Sequence, residues 1–285
     1  LIGEPNTGKS NILEALGFLS WCAVVNKPLN SFVRIKAMSE VFYDGLIAGE
    51  PMRIEVQGEQ HTQVQLQFEA GRDEFCLKTS QNVQPFARFS HDANLRGGTP
   101  INELAFLKFY RYADLDKFDS PSPGPLLPPD GKNLFSSVYA SKELRERVVD
   151  LFKPYGLSLV MKPQEKAFEI QKNAGGVVTA FRYAMTSDTL LRVIFYTAAM
   201  GSNKGATLVF EEPEAHAFPY YTKQMGEEIA LDESNQYFIA THNPYLLSAV
   251  IEKAKKEDVN VFVTYYRNFE TRVKQLNEKE LSEIL

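Results

Sequence analysis

The sequence predicts an α/β fold: a largely parallel core sheet with helices on both faces, joined by an antiparallel β subdomain and a short helical insertion. Three observations predict it. The last third alternates short apolar runs with helix-period segments. Thr207–Phe210, Tyr237–Thr241 and Asn260–Tyr265 read as strands, and Ser187–Met200, Pro219–Ala230 and Pro244–Lys255 as helices; that alternation builds parallel sheets with helices on their faces. Between Met52 and Lys78 the period changes to two, with Met52, Ile54 and Val56, then Val64, Leu66 and Phe68, separated by polar residues, as in half-buried strands. The chain opens on the apolar pair Leu1-Ile2, a glycine-framed loop and a helix-period run.

Taken in order, Leu1-Ile2 reads as the end of a strand that starts upstream. A helix follows from Ser10 to about Val24, with Ile12, Leu16, Leu19 and Ala23 on one face. The β-rich region is an antiparallel meander with turns at Gly58 and at Gly71-Arg72-Asp73, and a further strand is expected over Ala105–Tyr112. Ser120–Asp130 holds five prolines, which bars a helix or a central strand and predicts a surface linker or lid. Ser141 reads as the N-cap of a helix running to Lys153 before Pro154. Strands are expected near Leu157–Met161 and Phe168–Gln171, with a turn at Gly175-Gly176. The expected organisation is a single head: residues 1–30 and 181–285 form the core, 40–115 the β subdomain, and 116–180 the Pro-rich loop, helical insertion and hairpin.

Composition narrows the function. The 285 residues carry a net charge of −5, with 44% hydrophobic and 24% charged residues, an ordinary globular balance. A protein that neutralises many phosphates is usually basic, so bulk nucleic-acid binding is unsupported. No run approaches the roughly 18 apolar residues of a membrane span. Cys22 and Cys76 lie far apart without metal-ligand spacing; buried, reduced thiols and a cytoplasmic setting are expected.

The chemistry-bearing run is GEPNTGKS, Gly3 to Ser10, which fits G-x-x-x-x-G-K-[ST] in full. Gly3 and Gly8 allow torsions and close approach that a Cβ would block. Backbone N–H groups then form an anion nest at the start of a helix, whose free N–H groups and dipole favour phosphate. The nucleotide-binding set read here is Gly3, Asn6, Thr7, Gly8, Lys9, Ser10 and Asn11. Lys9 can reach the β- and γ-phosphates and the Ser10 hydroxyl can ligate Mg²⁺.

Two further sites follow the loop in sequence. TLVFEEPE, Thr207 to Glu214, is an apolar strand ending in paired carboxylates. Adjacent strand residues point to opposite sides, so the two acids can serve different tasks only if the strand bends away at its end, which Pro213 favours. Glu211 is assigned to the Mg²⁺ shell and Glu212 to general base or water positioning. In YFIATHNPYLL, His242 follows a strand and precedes a helix opening at Pro244; a neutral imidazole there can bond the γ-phosphate.

Together these motifs resemble the ABC-type P-loop ATPase heads of the SMC, RecF and OLD group, and most closely the small OLD-like ATPases. GKSNILEAL (Gly8–Leu16), EEPEAH (Glu211–His216) and ATHNPYLL (Ala240–Leu247) carry the resemblance. It implies that Ser187-Asp188-Thr189-Leu190-Leu191-Arg192 is a signature helix whose start, at Ser187 and Asp188, binds ATP held by a second subunit. Read alone, Ser187 is an ordinary N-cap. Thr189 stands where that signature usually has glycine, and Ala217-Phe218 replaces the usual Leu-His. The implied function is ATP hydrolysis in a dimer sandwiching ATP and Mg²⁺, in DNA-related or phage-defence work with a possible separate nuclease or effector. The alternatives are a nucleotide-gated switch with negligible turnover and a P-loop kinase acting on a small molecule.

Overall fold

The computed structural model describes residues 1–57, 62–80, 84–115 and 117–284, with the side chain of residue 284 left aside. The predicted turn at Gly58 lies outside the described residues. In chain order, β1 (Ile2–Gly3) leads through the glycine loop into α1 (Lys9–Cys22). Five strands follow, β2 (Met52–Val56), β3 (Thr62–Glu69), β4 (Glu74–Thr79), β5 (Ala87–Phe89) and β6 (Leu95–Gly98), then β7 (Leu107–Tyr110). Next come α2 (Leu134–Ala140), α3 (Lys142–Asp150), β8 (Leu157–Lys162), β9 (Ala167–Ala174), β10 (Val177–Arg182) and α4 (Asp188–Ser202). The last third runs β11 (Thr207–Glu211), α5 (Pro219–Leu231), β12 (Gln236–Ala240), α6 (Pro244–Lys253), β13 (Phe262–Arg267), β14 (Glu270–Gln275) and α7 (Glu278–Ile284). Among the described residues no helix is long and apolar enough to cross a membrane.

The chain divides into two compact units, one of residues 1–10 and 110–285, the other of residues 11–109. The second unit is the antiparallel meander, in strand order β2-β3-β4-β5-β6. Its period-two pattern pairs like with like: Leu66 lies opposite Leu77 and Phe68 opposite Phe75. Val64, Leu66, Phe75, Leu77 and Phe89 are buried, and Trp21 of α1 packs its ring 5.1 Å from that of Phe89.

The first unit holds the predicted parallel core. β1 pairs parallel with β13, Gly3 opposite Thr264, and β11 pairs parallel with β12, Glu211 opposite Ala240. The two pairs are joined through Leu1, whose nitrogen donates to the Ile239 carbonyl at 2.6 Å and whose carbonyl accepts from Thr241 N–H at 3.1 Å. With β14 antiparallel on β13, the strands run β14-β13-β1-β12-β11. The phosphate-loop strand therefore lies beside the strand that ends at Ala240, just before His242. Phe210 of β11 is fully buried, its ring 5.0 Å from Tyr196 of α4 and 5.8 Å from Tyr237 of β12. Nearly every residue of α4 from Leu190 to Met200 is buried, so this helix is core on all sides rather than on one stripe.

Three local expectations change. The Pro-rich segment forms no helix or strand, but only its first half is surface. Leu126, Pro128 and Pro129 are buried, Leu126 N–H donates to Ser202 Oγ at 2.8 Å, and Asn133 Nδ2 donates to the Ser122 and Pro125 carbonyls. Asn133 thus supplies donors to the carbonyls of a stretch whose prolines have no N–H to offer, and the segment is anchored rather than free as a lid. A helix not expected from sequence, α2, follows it. The predicted two-stranded hairpin gains a third strand, β10, antiparallel to β9.

Candidate active site

Every predicted site residue except Asn11 lies in the first unit; Asn11 is exposed on α1 in the second. The glycine loop owes its shape to positions that reject a side chain. Gly3 adopts φ 147° and Gly8 φ 89°. A Cβ on Gly3 would sit 2.6 Å from the Thr264 carbonyl, and one on Gly8 would enter the side chain of Thr271. Asn6 is left-handed at φ 62°, which asparagine tolerates better than most residues. Thr7 ties the loop down: its hydroxyl donates to the Glu4 carbonyl at 2.8 Å and lies 2.6 Å from Thr264 Oγ1. Lys9 is buried and spans the loop, Nζ donating to the carbonyls of Gly3 at 2.9 Å and Glu4 at 2.8 Å. Burial lowers its pKa and the negative charge of Glu212 pulls it back up. Ser10 follows, half-buried, in the first turn of α1, where backbone N–H groups lack helical partners.

The acid pair lies at the end of β11. Glu211, the last strand residue, pairs with Arg111, Nη2 to Oε2 at 3.2 Å. The chain turns at Glu212 itself, at φ 44°, against the extended preference of a residue before proline. A non-glycine residue held there costs about 1–3 kcal/mol, and such outliers cluster at functional sites. The turn is over-determined: Glu212 N–H donates to the Ala240 carbonyl at 2.9 Å, and Glu212 Oε1 faces His242 Nε2 at 3.4 Å. The structure thus separates the two acids, as the predicted bend requires, and brings Glu212 to both His242 and the field of Lys9.

Ser187 caps α4, its hydroxyl accepting from Leu190 N–H at 3.4 Å. Asp188 pairs with Arg192 one turn on, at 2.9 Å, and the Arg192 guanidinium lies over the Tyr112 ring at 4.6 Å. These bonds stay within α4 and its neighbour. The helix start reaches the acidic loop through Thr189, whose hydroxyl donates to the His216 carbonyl at 2.8 Å.

Sequence reasoning missed four partners. Thr264 and Thr271 shape the glycine loop from the C-terminal hairpin, and Arg111 holds Glu211. Glu214 sits inside the quoted EEPE run, yet nothing in its spacing marked it as buried. It is 5% exposed and accepts a hydrogen bond from Thr241 Oγ1.

A solved structure shares this fold. The structure described as "Crystal structure of the SmcHead bound to the C-winged helix domain of ScpA" aligns over 99% of this chain and 90% of its own, at TM-score 0.52 and 16% identity. An Smc head domain with an extended coiled coil, bound to the C-terminal domain of ScpA derived from Pyrococcus furiosus, aligns over 99% and 91%, at TM-score 0.47 and 13% identity. At such identities the first likeness speaks for the fold alone. No curated protein sequence matches the chain. A family model described as "AAA domain, putative AbiEii toxin, Type IV TA system" matches residues 1–248; the chain belongs to that AAA-domain family and shares the fold of the Smc head.

Proposed function

We propose that the protein binds Mg-ATP in the loop Gly3–Ser10 and hydrolyses it in an active site completed by a second copy of the chain. The observation that carries this reading is the convergence of Glu212 and His242, at 3.4 Å, beside a glycine loop spanned by Lys9. The residues fit the ligand. Gly3 and Gly8 leave room that a Cβ would fill, Thr7 fixes the loop, and the two carbonyls that hold Lys9 leave its charge unneutralised. Bound Mg-ATP supplies a γ-phosphoryl group open to attack by water, with the metal neutralising charge that develops. Gly3, Asn6, Thr7, Gly8 and Asn11 line or flank the phosphates, and Lys9 turns from the loop carbonyls to the β- and γ-oxygens. Ser10 and Glu211 hold the metal, Glu211 exchanging its pairing with Arg111 for that task. Glu212 orients and deprotonates the water, and His242 donates to the γ-phosphate. Ser187 and Asp188 present a capped helix start to nucleotide on the partner copy.

Phosphate release and binding of a fluorescent ATP analogue test the reading. Glu212→Gln keeps binding and slows hydrolysis by about 10²-fold or more; Lys9→Ala loses binding. Equal hydrolysis by Glu212→Gln and the unaltered protein would overturn the assignment.

The Glu211–Arg111 pair and the Thr189–His216 bond favour a second reading, a nucleotide-gated switch with negligible turnover. A single-turnover experiment with bound ATP and no burst of phosphate selects it. In the cell we assign the cycle to cytoplasmic, DNA-related or phage-defence work through a separate nuclease or effector. The family description, with its type IV toxin–antitoxin system, supports that setting. A Lys9→Ala strain that resists phage as well as its parent refutes it.

A further inference from the structure

Glu214 has no task in the proposed cycle, yet it is the most deeply buried acid of the Glu211–Glu214 run, 5% exposed. Its Oε1 accepts from Thr241 Oγ1. That same hydroxyl accepts the N–H of Asn243 at 2.9 Å, and the Asn243 side chain in turn caps α6 by accepting from Tyr245 N–H at 2.9 Å. His242 lies between Thr241 and Asn243. One buried carboxyl therefore holds the turn on both flanks of His242 while belonging to the loop that carries Glu212.

The other carboxylate oxygen, Oε2, is buried without a hydrogen-bond partner among the described residues. Burying a carboxyl with an unfilled acceptor is costly, and an apolar residue would fill the space without that cost. Burial pushes the Glu214 pKa up and the charge of Glu212 adds to the rise, while the Thr241 bond works against it.

We propose that Glu214 is a positioning residue for hydrolysis: through Thr241 and the Asn243 turn that Thr241 anchors, it holds the imidazole against Glu212 and at the γ-phosphate. This rests on the ATPase reading above. A group displaced by about 1 Å from its productive place can cost on the order of 10²-fold in rate, and a residue acting through another gives non-additive double variants.

The experiment compares Glu214→Leu, which fills the space without an acceptor, with Glu214→Gln, which keeps the acceptor oxygen. Glu214→Leu is expected to lower kcat by about 10²-fold with KM changed by less than about 3-fold. Glu214→Gln is expected to restore kcat to within about 5-fold of the unaltered protein. Adding His242→Ala to Glu214→Leu should then cost nothing further. A fully active Glu214→Leu, or a His242→Ala effect of equal size in both backgrounds, overturns the proposal. Where Glu214→Leu does not fold, Thr241→Val removes the same bond from the other side and must show the same kcat loss and non-additivity; full activity of Thr241→Val overturns it.

Should the protein bind without turnover, the His242 ring resonance replaces kcat as the readout. The shift between the Mg-ADP and Mg-AMP-PNP states must be present in the unaltered protein and lost in Glu214→Leu; a shift that survives overturns the proposal. Failure of the ATPase reading is separate: there Lys9→Ala and Glu212→Gln leave binding and hydrolysis unchanged.

Discussion

At the scale of single residues, the phosphate loop shows what a motif states and what it leaves out. Both glycines were legible because the spacing of Gly3, Gly8, Lys9 and Ser10 is a local pattern with a physical reason at each position. Their close neighbours were not: Thr264 meets Thr7 across 257 positions of sequence, and only the fold brings the C-terminal hairpin to the loop. Gly8 is constrained twice, by φ 89° and by the Thr271 side chain. Gly8→Ala should therefore lose ATP binding and lower Tm, by more than the roughly 1 kcal/mol that separates glycine from alanine where alanine's conformation is tolerated. Adding Thr271→Ala should remove the worst of the clash, the hydroxyl and methyl, but neither the 2.9 Å approach of the remaining Cβ nor the torsion, so Tm recovers in part while binding stays lost. Thermal melting and titration of a fluorescent ATP analogue check both. Glu212 is a parallel case: the adjacent acids were legible, whereas the left-handed turn that parts them arises at Glu212 rather than at Pro213.

At the scale of elements, legibility followed the strength of the periodic signal. β11, β12 and β13 and helices α4, α5 and α6 were expected within a few residues, because buried apolar runs and their caps are local. β10 escaped because all six of its residues are exposed, so no face alternates. α2 escaped because its two serines and the prolines before it mask a short helix whose burial depends on the Asn133-anchored segment. The packing of β11 sets a measurable cost. Phe210, fully buried between Tyr196 and Tyr237, should cost about 3–5 kcal/mol when cut to alanine, read by denaturant unfolding. The turn between α5 and β12 carries a pH prediction. Burial raises the Asp232 pKa, but bonds from Ser234, Tyr237 and Asn235 outweigh it and the net shift is downward from the usual 3.8. The folded pKa lies below the unfolded one, so the stabilisation is complete above the unfolded value and is lost as pH falls through the folded value. The Tm gap between the protein and Asp232→Asn should be steady near neutrality and close below about pH 4.

At the scale of the whole molecule, the sequence carried the α/β class and the antiparallel subdomain, since both rest on periodicity. The division into units at Ser10/Asn11 and Phe109/Tyr110 depends on long-range packing that periodicity does not encode. In the proposed dimer, the task of the start of α4 likewise involves more than one chain. Among the described residues, the side chains of Ser187 and Asp188 bond only within α4, and Thr189 links that helix to the loop bearing Glu212. If the helix start meets nucleotide on a second copy, closing the dimer and preparing hydrolysis are joined through the Thr189–His216 bond, and ATP shifts a monomer–dimer equilibrium by its preference for the closed state. Glu212→Gln, which binds without turning over, should then double its molar mass by light scattering on addition of Mg-ATP but not Mg-ADP. Ser187→Arg in that background should stay monomeric while binding the fluorescent analogue normally, since its own phosphate loop is untouched. Ser187→Ala, by contrast, removes only a cap worth about 1 kcal/mol and should weaken the dimer without abolishing it. A mass that does not change on ATP binding would remove Ser187 and Asp188 from the nucleotide site and leave them as the cap and first-turn acid of a core helix.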